Sequence, residues 1–297
     1  MSNWVAIDWG TTNFRAFLLD ELSIVDEYVS NHGIKNIENE DFEKILKNNL
    51  SKWINKYEQL EIFICGMIGS RQGWIEVPYV KCPCSINNLI TKRPFVRDKK
   101  LKIHIVSGIS QDSPNDLMRG EETILSGFII DNPNYCGSIC IPGTHSKWVQ
   151  VKSQKIVKFS TFLTGEMFEI LCKHSILKHD LKNKNFCRKS FLEGINAMQN
   201  FPNEILKKLF HLRARSILQS QIPNNIFSLL SGYIIGLELS GSKLYWENKN
   251  LVLIGSNYLN NIYEIALKHK VKSFKKIDSS FITIKGLNFI RNLHEKK

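Results

Sequence analysis

The same order of strands and helices occurs twice along the 297-residue chain, and this repetition limits the fold more than any other feature. The apolar patterns of the first half predict, in order, strands at about 3–9, 13–20 and 23–29, a helix near 41–57, strands at 61–67 and 102–107, and a helix at 116–130. The second half predicts strands at about 137–141, 147–152 and 155–163, a helix that begins near Thr164, inserted helices at about 189–241, a strand at 251–254, a helix at 259–269, a strand at 271–277 and a helix at 279–293. Such a repeated unit predicts two similar lobes with a cleft between them.

Each predicted lobe belongs to the α/β class, since strands that alternate with helices form a mixed sheet flanked by helices. Asn132, Pro133 and Asn134 interrupt the pattern and mark the boundary. We therefore expect an N-terminal lobe at residues 1–132 and a C-terminal lobe at 133–297 that contains the helical insertion.

A turn of small polar residues joins the first two strands. Asp8 follows an apolar run, and Gly10, Thr11 and Thr12 form the tip before the chain becomes apolar again. Such a tip can bring backbone N–H groups and hydroxyls close to a phosphate, while the carboxylate of Asp8 holds a hydrated metal ion. An ordinary hairpin turn is the alternative interpretation.

An equivalent turn, Gly143, Thr144 and His145, joins the first two strands of the second half. Because the two turns occupy corresponding positions, we expect them to face each other and to bind phosphate together. A third turn, Gly255 and Ser256, follows a buried strand and leaves room for a flat base or a ribose. Its alternative is a plain connection between a strand and a helix.

Composition limits the partners of the chain. With 43% hydrophobic and 23% charged residues, it is typical of soluble globular proteins, and no apolar run reaches the roughly 20 residues that span a bilayer. The seven scattered cysteines and the lack of a signal peptide predict reduced thiols and a cytoplasmic location. The net charge of +12 comes from dispersed lysines, which argues against nucleic-acid binding and favours small anionic ligands.

Several strings, in this order, resemble the 2-dehydro-3-deoxygalactonokinase family of the sugar kinase, Hsp70 and actin superfamily: AIDWGTTNFRAFL, GMIGSRQGWIEVPYV, DLMRGEETILSGF, IPGTHSKWVQV, FLTGEMFEILCKHSIL, LRARSIL with LLSGYIIGLEL, and LIGSNYL. The resemblance runs from about Trp4 to Phe289. It implies two ribonuclease H-like lobes of the actin-like ATPase fold. It also implies a kinase that uses ATP and Mg²⁺ to phosphorylate the terminal hydroxyl of 2-dehydro-3-deoxy-D-galactonate, giving the 6-phosphate.

The resemblance guides the choice of catalytic residues. In sugar kinases of this superfamily the base commonly lies at the start of the last helix of the first lobe, and the string NDLMRGEET puts Asp116 there. We assign Asp116 as the base and Asp8 as the metal-binding carboxylate. Asp116 as a plain helix N-cap is the alternative, and Asp112, Glu121 and Glu122 are the other candidate bases.

The substrate is an anion and calls for an arginine, for which Arg71 and Arg119 are the candidates. On a helix, Arg119 would share a face with Asp116. Trp74 would line the sugar site or pack its own loop against the lobe, and Glu121 is grouped with the substrate-binding residues. Glu166 would bind substrate hydroxyls or stabilise a helix N-terminus.

Three alternatives stay open at this point. The motifs are compatible with the gluconate epimer or another 2-keto-3-deoxy sugar acid as the substrate. A non-metabolic ATPase of the actin or Hsp70 type is the competing class. For partners we expect only the sugar acid and ATP, with no nucleic acid and no membrane, and a homodimer is one open oligomeric state.

Overall fold

The structure is a computed structural model that describes residues 3–37, 41–181, 184–218 and 225–295. Its strands, in chain order, are β1 (Trp4–Trp9), β2 (Phe14–Asp20), β3 (Ser23–Ser30), β4 (Leu60–Cys65), β5 (Val80–Lys81), β6 (Cys84–Ser85), β7 (Thr91–Lys92), β8 (Leu101–Val106), β9 (Ile109–Asp112), β10 (Asn115–Met118), β11 (Cys136–Ile141), β12 (Ser146–Lys152), β13 (Lys155–Phe162), β14 (Asn250–Gly255) and β15 (Ser273–Asp278). Its α-helices are α1 (Phe42–Asn49), α2 (Ser51–Lys56), α3 (Glu121–Asp131), α4 (Thr164–His174), α5 (Arg188–Asn200), α6 (Ile205–Leu218), α7 (Ile226–Gly241), α8 (Lys243–Trp246), α9 (Asn257–Leu267) and α10 (Ser279–Glu295). Within these ranges every helix is too short or too polar to cross a lipid bilayer.

The described residues form two compact units. The first contains the chain up to Cys136, residues Val151–Phe159 and the chain from Asp278 onward. The second contains Gly137–Gln150 and Ser160–Ile277. This division differs from the expected boundary after residue 132, because both α10 and residues Val151–Phe159 belong to the first unit.

The contact between α3 and α10 explains why the last helix belongs to the first unit. A Cβ atom added at Gly127 of α3 would lie 2.0 Å from the carbonyl oxygen of Ile282. One added at Gly286 of α10 would lie 1.9 Å from the carbonyl oxygen of Thr123. Glycine at both positions therefore allows the two backbones to approach closely, which periodicity in the sequence does not reveal.

The main sheet of the first unit has the strand order β3-β2-β1-β4-β8-β7. Strand β1 pairs antiparallel with β2 and parallel with β4. Its residues Val5–Ile7 are fully buried, as expected for a central strand with both faces covered. Asp8 thus lies near the carboxyl ends of two neighbouring parallel strands, the edge at which open α/β sheets bind ligands.

The helix predicted at 116–130 begins at Glu121 instead, and this part of the prediction was wrong. Residues 109–118 form a hairpin of β9 and β10, in which Asp116 pairs with Gln111. Gly120 explains the late start, since its φ of +109° lies in the left-handed region and the helix cannot extend back through it. The helix predicted near 41–57 is likewise divided, into α1 and α2, at Leu50.

The second unit contains β14 and most of β11 and β12 as neighbours in this order, with β15, apart from Asp278, on the other side of β14. Strand β11 pairs parallel with β14, which aligns their carboxyl ends. Helices α5, α6 and α7 lie in the range predicted for the helical insertion, about 189–241, while residues 219–224 lie outside the described ranges. Helices α5 and α7 pack closely because a Cβ atom at Gly232 would lie 2.2 Å from the carbonyl oxygen of Phe191.

Candidate active site

The first candidate turn connects β1 to β2, and the segment 33–35 forms hydrogen bonds with its backbone. The carbonyl oxygens of Gly10 and Thr11 accept hydrogen bonds of 3.0 and 2.9 Å from two successive N–H groups of that segment. Thr11 and Thr12 are exposed. The turn therefore presents hydroxyl groups to solvent on a fixed backbone, as a phosphate-binding turn requires.

Gly33 belongs to this site and was missed by the sequence interpretation. A Cβ atom at Gly33 would lie 2.2 Å from the carbonyl carbon of Thr12 and 2.5 Å from the nitrogen of Asn13. Its φ of −68° is open to any residue, so the requirement is for space. The only sequence signal was a glycine among polar residues after β3.

Asp8 is half-buried near the end of β1, where it pairs with Cys65 of β4. Burial raises the pKa of Asp8, the nearby Arg15 opposes this rise, and the negative charge of Glu121 adds to it. A Cβ atom at Gly66 would lie 3.4 Å from Oδ1 of Asp8. The carboxylate therefore lies against a bare backbone, within the electrostatic influence of a second acidic group.

That second acidic group belongs to the start of α3. Glu121 is half-buried, and its Oε2 accepts a 3.1 Å hydrogen bond from the N–H of Arg119. Glu122 is fully buried, and burial followed by the charge of Glu121 raises its pKa to about 8. A Cβ atom at Gly120 would lie 3.3 Å from Cα of Gly66, which brings the start of α3 to the end of β4. Within the described ranges, no three His, Cys, Asp or Glu side chains form a ready-made metal site.

Asp116 does not have the position that the sequence predicted. It lies in β10, and its Oδ1 accepts a 2.7 Å hydrogen bond from the N–H of Leu117. It is therefore neither an N-cap nor a residue of the first turn of a helix, and the geometric reason for choosing it as the base is lost. Asp112, at the end of β9, forms an exposed ion pair of 2.8 Å with Lys81.

Arg119 is buried and holds the surrounding backbone together. Its Nη2 donates to the carbonyl oxygen of Val77 at 2.7 Å, and its Nη1 lies 3.5 Å from that of Val106. Its Nε donates to the hydroxyl of Tyr79 at 3.3 Å, and the guanidinium lies 4.2 Å from the centre of that ring. The expected helical face shared with Asp116 is absent, because Arg119 precedes α3.

The SRQGW string forms a tight loop after β4. Arg71 is exposed in it, whereas Trp74 is half-buried and stacks on Phe42 with ring centres 6.3 Å apart. Trp74 also packs against the core of the first unit. Of the two interpretations of Trp74, packing of its own loop is thus observed.

The second candidate turn lies between β11 and β12 and is backed by the start of α4. A Cβ atom at Gly143 would have no atom within 4 Å, whereas one at Gly165 would lie 2.5 Å from the carbonyl oxygen of Gly143. The carbonyl oxygen of Thr144 accepts a 3.0 Å hydrogen bond from the N–H of Glu166. The carboxylate of Glu166 hydrogen-bonds to the ring of His145. One face of the turn is thus open while its other face is fixed.

The third turn lies beside the second. A Cβ atom at Gly255 would lie 3.1 Å from Cγ of Pro142, and the hydroxyl of Ser256 accepts a 3.4 Å hydrogen bond from the N–H of Leu259 as the N-cap of α9. A cavity of about 130 Å³ adjoins Gly143 and is lined mainly by apolar side chains, including Phe168, Phe227, Ile234, Tyr258 and Ile262. The second unit thus combines a turn open to anions with an apolar cavity.

Comparison with known proteins identifies the family that this chain resembles. The family model for 2-keto-3-deoxy-galactonokinase matches residues 8–290. A Rhizobium meliloti protein named as a probable 2-dehydro-3-deoxygalactonokinase is 32% identical over 292 residues, covering 96% of this chain and 95% of its own. The 2-dehydro-3-deoxygalactonokinase of Escherichia coli is 30% identical over 270 residues, covering 90% of each chain.

Two solved structures show the fold. A crystal structure from Sinorhizobium meliloti, of a protein described by the same activity, has a TM-score of 0.88 at 30% identity and covers 97% of this chain and 98% of its own. The activator of 2-hydroxyisocaproyl-CoA dehydratase from Clostridium difficile, solved with ADPNP, has a TM-score of 0.51 at 10% identity and covers 99% and 97%. The fold is the two-lobed actin-like ATPase type that the sequence resemblance implied. Since the match extends over nearly the whole length, the chain belongs to the 2-keto-3-deoxy-galactonokinase family.

Proposed function

We propose that this protein transfers the γ-phosphoryl group of ATP to the terminal hydroxyl of 2-dehydro-3-deoxy-D-galactonate and thereby forms the 6-phosphate. The observation that carries this proposal is the family match over residues 8–290, together with relatives named for this activity. Phosphoryl transfer depends mainly on positioned phosphate ligands and charge stabilisation, with a carboxylate that receives the hydroxyl proton. The two units contain groups for each of these tasks.

We assign the nucleotide to two features of the second unit. The turn Gly143–His145 has an open face that a phosphate can approach, and Glu166 orients the ring of His145. The apolar cavity beside Gly143 suits the adenine base, with Gly255 and Ser256 at the nearby strand end. The exposed turn Gly10–Thr12 of the first unit is assigned to phosphate as well.

We assign Mg²⁺ to Asp8, with water molecules between the ion and the protein. The residues fit such an ion, because Mg²⁺ keeps several waters and uses one or two carboxylates. Asp8 has its pKa raised in part by Glu121, so a cation there relieves an unfavourable concentration of negative charge. When bound, the ion supplies charge neutralisation for the phosphates.

For the base we favour Glu121 over Asp116. Glu121 is half-buried at the N-terminus of α3 and close enough to Asp8 to influence its pKa. A helix N-terminus stabilises the ionised carboxylate. Glu122 is fully buried, and its oxygens accept hydrogen bonds from the N–H of Gly120 at 2.7 Å and the hydroxyl of Thr123 at 3.2 Å. Its role is thus to fix the start of α3.

For the substrate carboxylate we favour Arg71. Its side chain is exposed on a loop that backbone hydrogen bonds hold in shape, such as the 2.9 Å bond from the N–H of Gly73 to Ser70. A guanidinium on a fixed loop can form a bidentate pair with a carboxylate from solution. Arg119 already has hydrogen bonds within the protein and instead supports the loop that carries Arg71.

The decisive experiment measures ADP formation by the purified protein with a panel of 2-keto-3-deoxy sugar acids. The panel includes the galactonate and gluconate epimers, a shorter chain and an analogue that lacks the terminal hydroxyl. We expect the galactonate epimer to give the highest kcat/KM and the analogue to give none. Phosphorus NMR should show a phosphate ester on the terminal carbon. If ATP turnover is the same with and without every acid, the protein is an ATPase of the actin or Hsp70 type.

We assign the reaction to the cytoplasm, where both ATP and thiols in reduced form are available. The odd number of cysteines supports this assignment. Burial also raises the pKa of the Cys65 and Cys140 thiols, so these residues act as small core side chains rather than as reactive groups.

A further inference from the structure

A fully buried carboxylate lies behind the second turn. Glu238 belongs to α7, within the LLSGYIIGLEL string, and only 3% of its surface is exposed. Its Oε1 accepts a 2.7 Å hydrogen bond from the indole N–H of Trp148. Its Oε2 accepts hydrogen bonds from the hydroxyls of Tyr263, at 2.7 Å, and Thr164. Neutral donors thus surround the carboxylate.

One branch of this network reaches the second turn. The hydroxyl of Tyr263 lies 3.2 Å from Oγ of Ser146, and Oγ of Ser146 accepts from the N–H of Gly143 at 3.5 Å. The hydroxyl of Ser146 also hydrogen-bonds to Glu238. If Tyr263 donates to Glu238, the hydroxyl of Ser146 finds only acceptors in these two side chains, and its own oxygen is left to receive the N–H of Gly143. The carboxylate therefore gives every hydroxyl of this branch one direction.

A second branch reaches the same turn through α4. Thr164 is the first residue of that helix, and its hydroxyl donates to Glu238. The next residue, Gly165, packs against Gly143, and the N–H of Glu166 donates to the carbonyl oxygen of Thr144. Both sides of the turn are thus connected to one carboxylate.

Burial of a carboxylate lowers the stability of a fold unless hydrogen bonds compensate for the lost hydration. Apolar side chains of similar volume often stabilise a core as well or better. Burial raises the pKa of Glu238, which reflects this cost. If position 238 had only to fill the core, an apolar side chain would be sufficient. The cost is explained if the charge fixes the direction of hydrogen bonds that a functional segment needs.

We propose that Glu238 is a positioning residue that holds the Gly143–His145 turn and the start of α4 in the geometry that binds the phosphates of ATP. This inference rests on the assignment of that turn to the nucleotide. Glu238 is buried away from solvent and acts through Tyr263, Ser146 and Thr164.

Substitution of Glu238 by Gln tests the inference with little change in shape. The amide oxygen must face Trp148, whose indole can only donate, and the amide N–H groups then face the hydroxyls of Tyr263 and Thr164. The direction of the hydroxyl branch is reversed. We expect the Kd for a non-hydrolysable ATP analogue with Mg²⁺, measured by calorimetry, and the KM for ATP to rise about 10- to 100-fold, as a small misplacement can produce. The KM for the sugar acid should change little.

Three further variants keep the test decisive if Glu238→Gln does not fold. Tyr263→Phe removes one hydroxyl from the first branch and keeps the ring. Thr164→Val removes the hydroxyl of the second branch, and Thr164→Ser retains it. We expect Thr164→Val and Tyr263→Phe to weaken analogue binding, and Thr164→Ser to bind it nearly as the wild type does.

Glu43→Gln is the matched control, since Glu43 is also buried and accepts two backbone hydrogen bonds, from Arg97 at 2.9 Å and Asp98 at 3.0 Å, within the first unit. This variant should lower Tm and leave analogue binding unchanged. The inference is overturned if Glu238→Gln behaves in the same way, or if Thr164→Val and Thr164→Ser bind the analogue equally well. It also falls if the wild type does not bind the analogue. If the wild type binds it but no sugar acid stimulates turnover, the proposed substrate is wrong, and the analogue titrations still decide the role of Glu238.

Discussion

The negative charge of Glu121 raises the pKa of Asp8, although Asp8 lies on β1 and Glu121 begins α3. Burial is the larger cause of the rise, and Arg15 partly offsets it. A divalent cation beside Asp8 stabilises the ionised carboxylate against both effects. These two effects are the physical reason for the proposed assignment of Mg²⁺ to Asp8.

Asp8→Asn is expected to lower kcat at least about 100-fold, because a bound metal ion stabilises the transition state by several kcal/mol. The amide has nearly the same shape, so circular dichroism and Tm should show an intact fold. Asp20→Asn is the matched control, since Asp20 is exposed at the end of β2 and should tolerate the change. Titration with Mg²⁺ provides the measurement. Wild-type activity of Asp8→Asn at saturating Mg²⁺ would reduce Asp8 to a turn residue.

Glu121→Gln is expected to lower kcat about 10²- to 10⁴-fold, because the amide cannot accept the proton of the substrate hydroxyl. The KM values for ATP and the sugar acid should change little. Asp116→Asn serves as the comparison and should turn over substrate nearly as fast as the wild type does, since Asp116 lies in β10. The opposite result, with Asp116→Asn inactive and Glu121→Gln active, would restore Asp116 as the base.

Arg71→Met is expected to raise the KM for the sugar acid about 30- to 5000-fold, the range that follows from removing one partner of a desolvated charged pair at 2–5 kcal/mol. The KM for ATP should stay close to the wild-type value. Steady-state kinetics with each substrate varied in turn provide the measurement. Equal increases in both KM values would mean that the substitution disturbs the loop rather than a contact with substrate.

Arg119→Met provides the contrast, because this guanidinium is buried and donates to Val77 and Tyr79. Leaving a buried acceptor without its donor costs about 1–3 kcal/mol, so we expect a lower free energy of unfolding. If Arg119→Met raises the sugar-acid KM without loss of stability, Arg119 rather than Arg71 binds the substrate.

The stability of the protein should depend on pH through Glu122. Burial raises the pKa of this group from 4.5 to about 8, so between these values the folded state holds a proton that the unfolded chain has lost. Protonation of Glu122 therefore contributes fully to the free energy of unfolding below the unfolded-state pKa of 4.5. This contribution is lost as pH rises through the folded-state pKa of about 8. Glu122→Gln removes this titration. Relative to the wild type, the variant should therefore gain stability as pH rises from about 5 to about 8, measured by urea unfolding. A difference that is constant with pH would contradict this.

The sequence predicted β1, β2 and β3 well because apolar runs separated by short polar turns are local signals. Residues 116–118 of β10, by contrast, were predicted as the start of a helix. The apolar residues of β10 are too few to distinguish the period of a helix from that of a strand. Gly120 determines where α3 begins, and it does so through a φ of +109°, which cannot be read from the sequence.

The candidate site was predicted in part. The turns Gly10–Thr12 and Gly143–His145 lie where their strands predicted, because a turn is fixed by its neighbours. The burial of Arg119 was not predicted, since its partners are carbonyl oxygens from other parts of the chain. Gly33 and Glu238 were missed because their roles depend on tertiary contacts.

The division of the chain between the units has a consequence for its synthesis. The first unit begins with β1 but is completed only by α10, whereas all residues of the second unit precede Asp278. Until the ribosome has made α10, the glycine face of α3 at Gly127 has no helix to cover it. We therefore expect the second unit to complete its contacts during synthesis before the first unit, whose earliest strands are joined by α10 only afterwards.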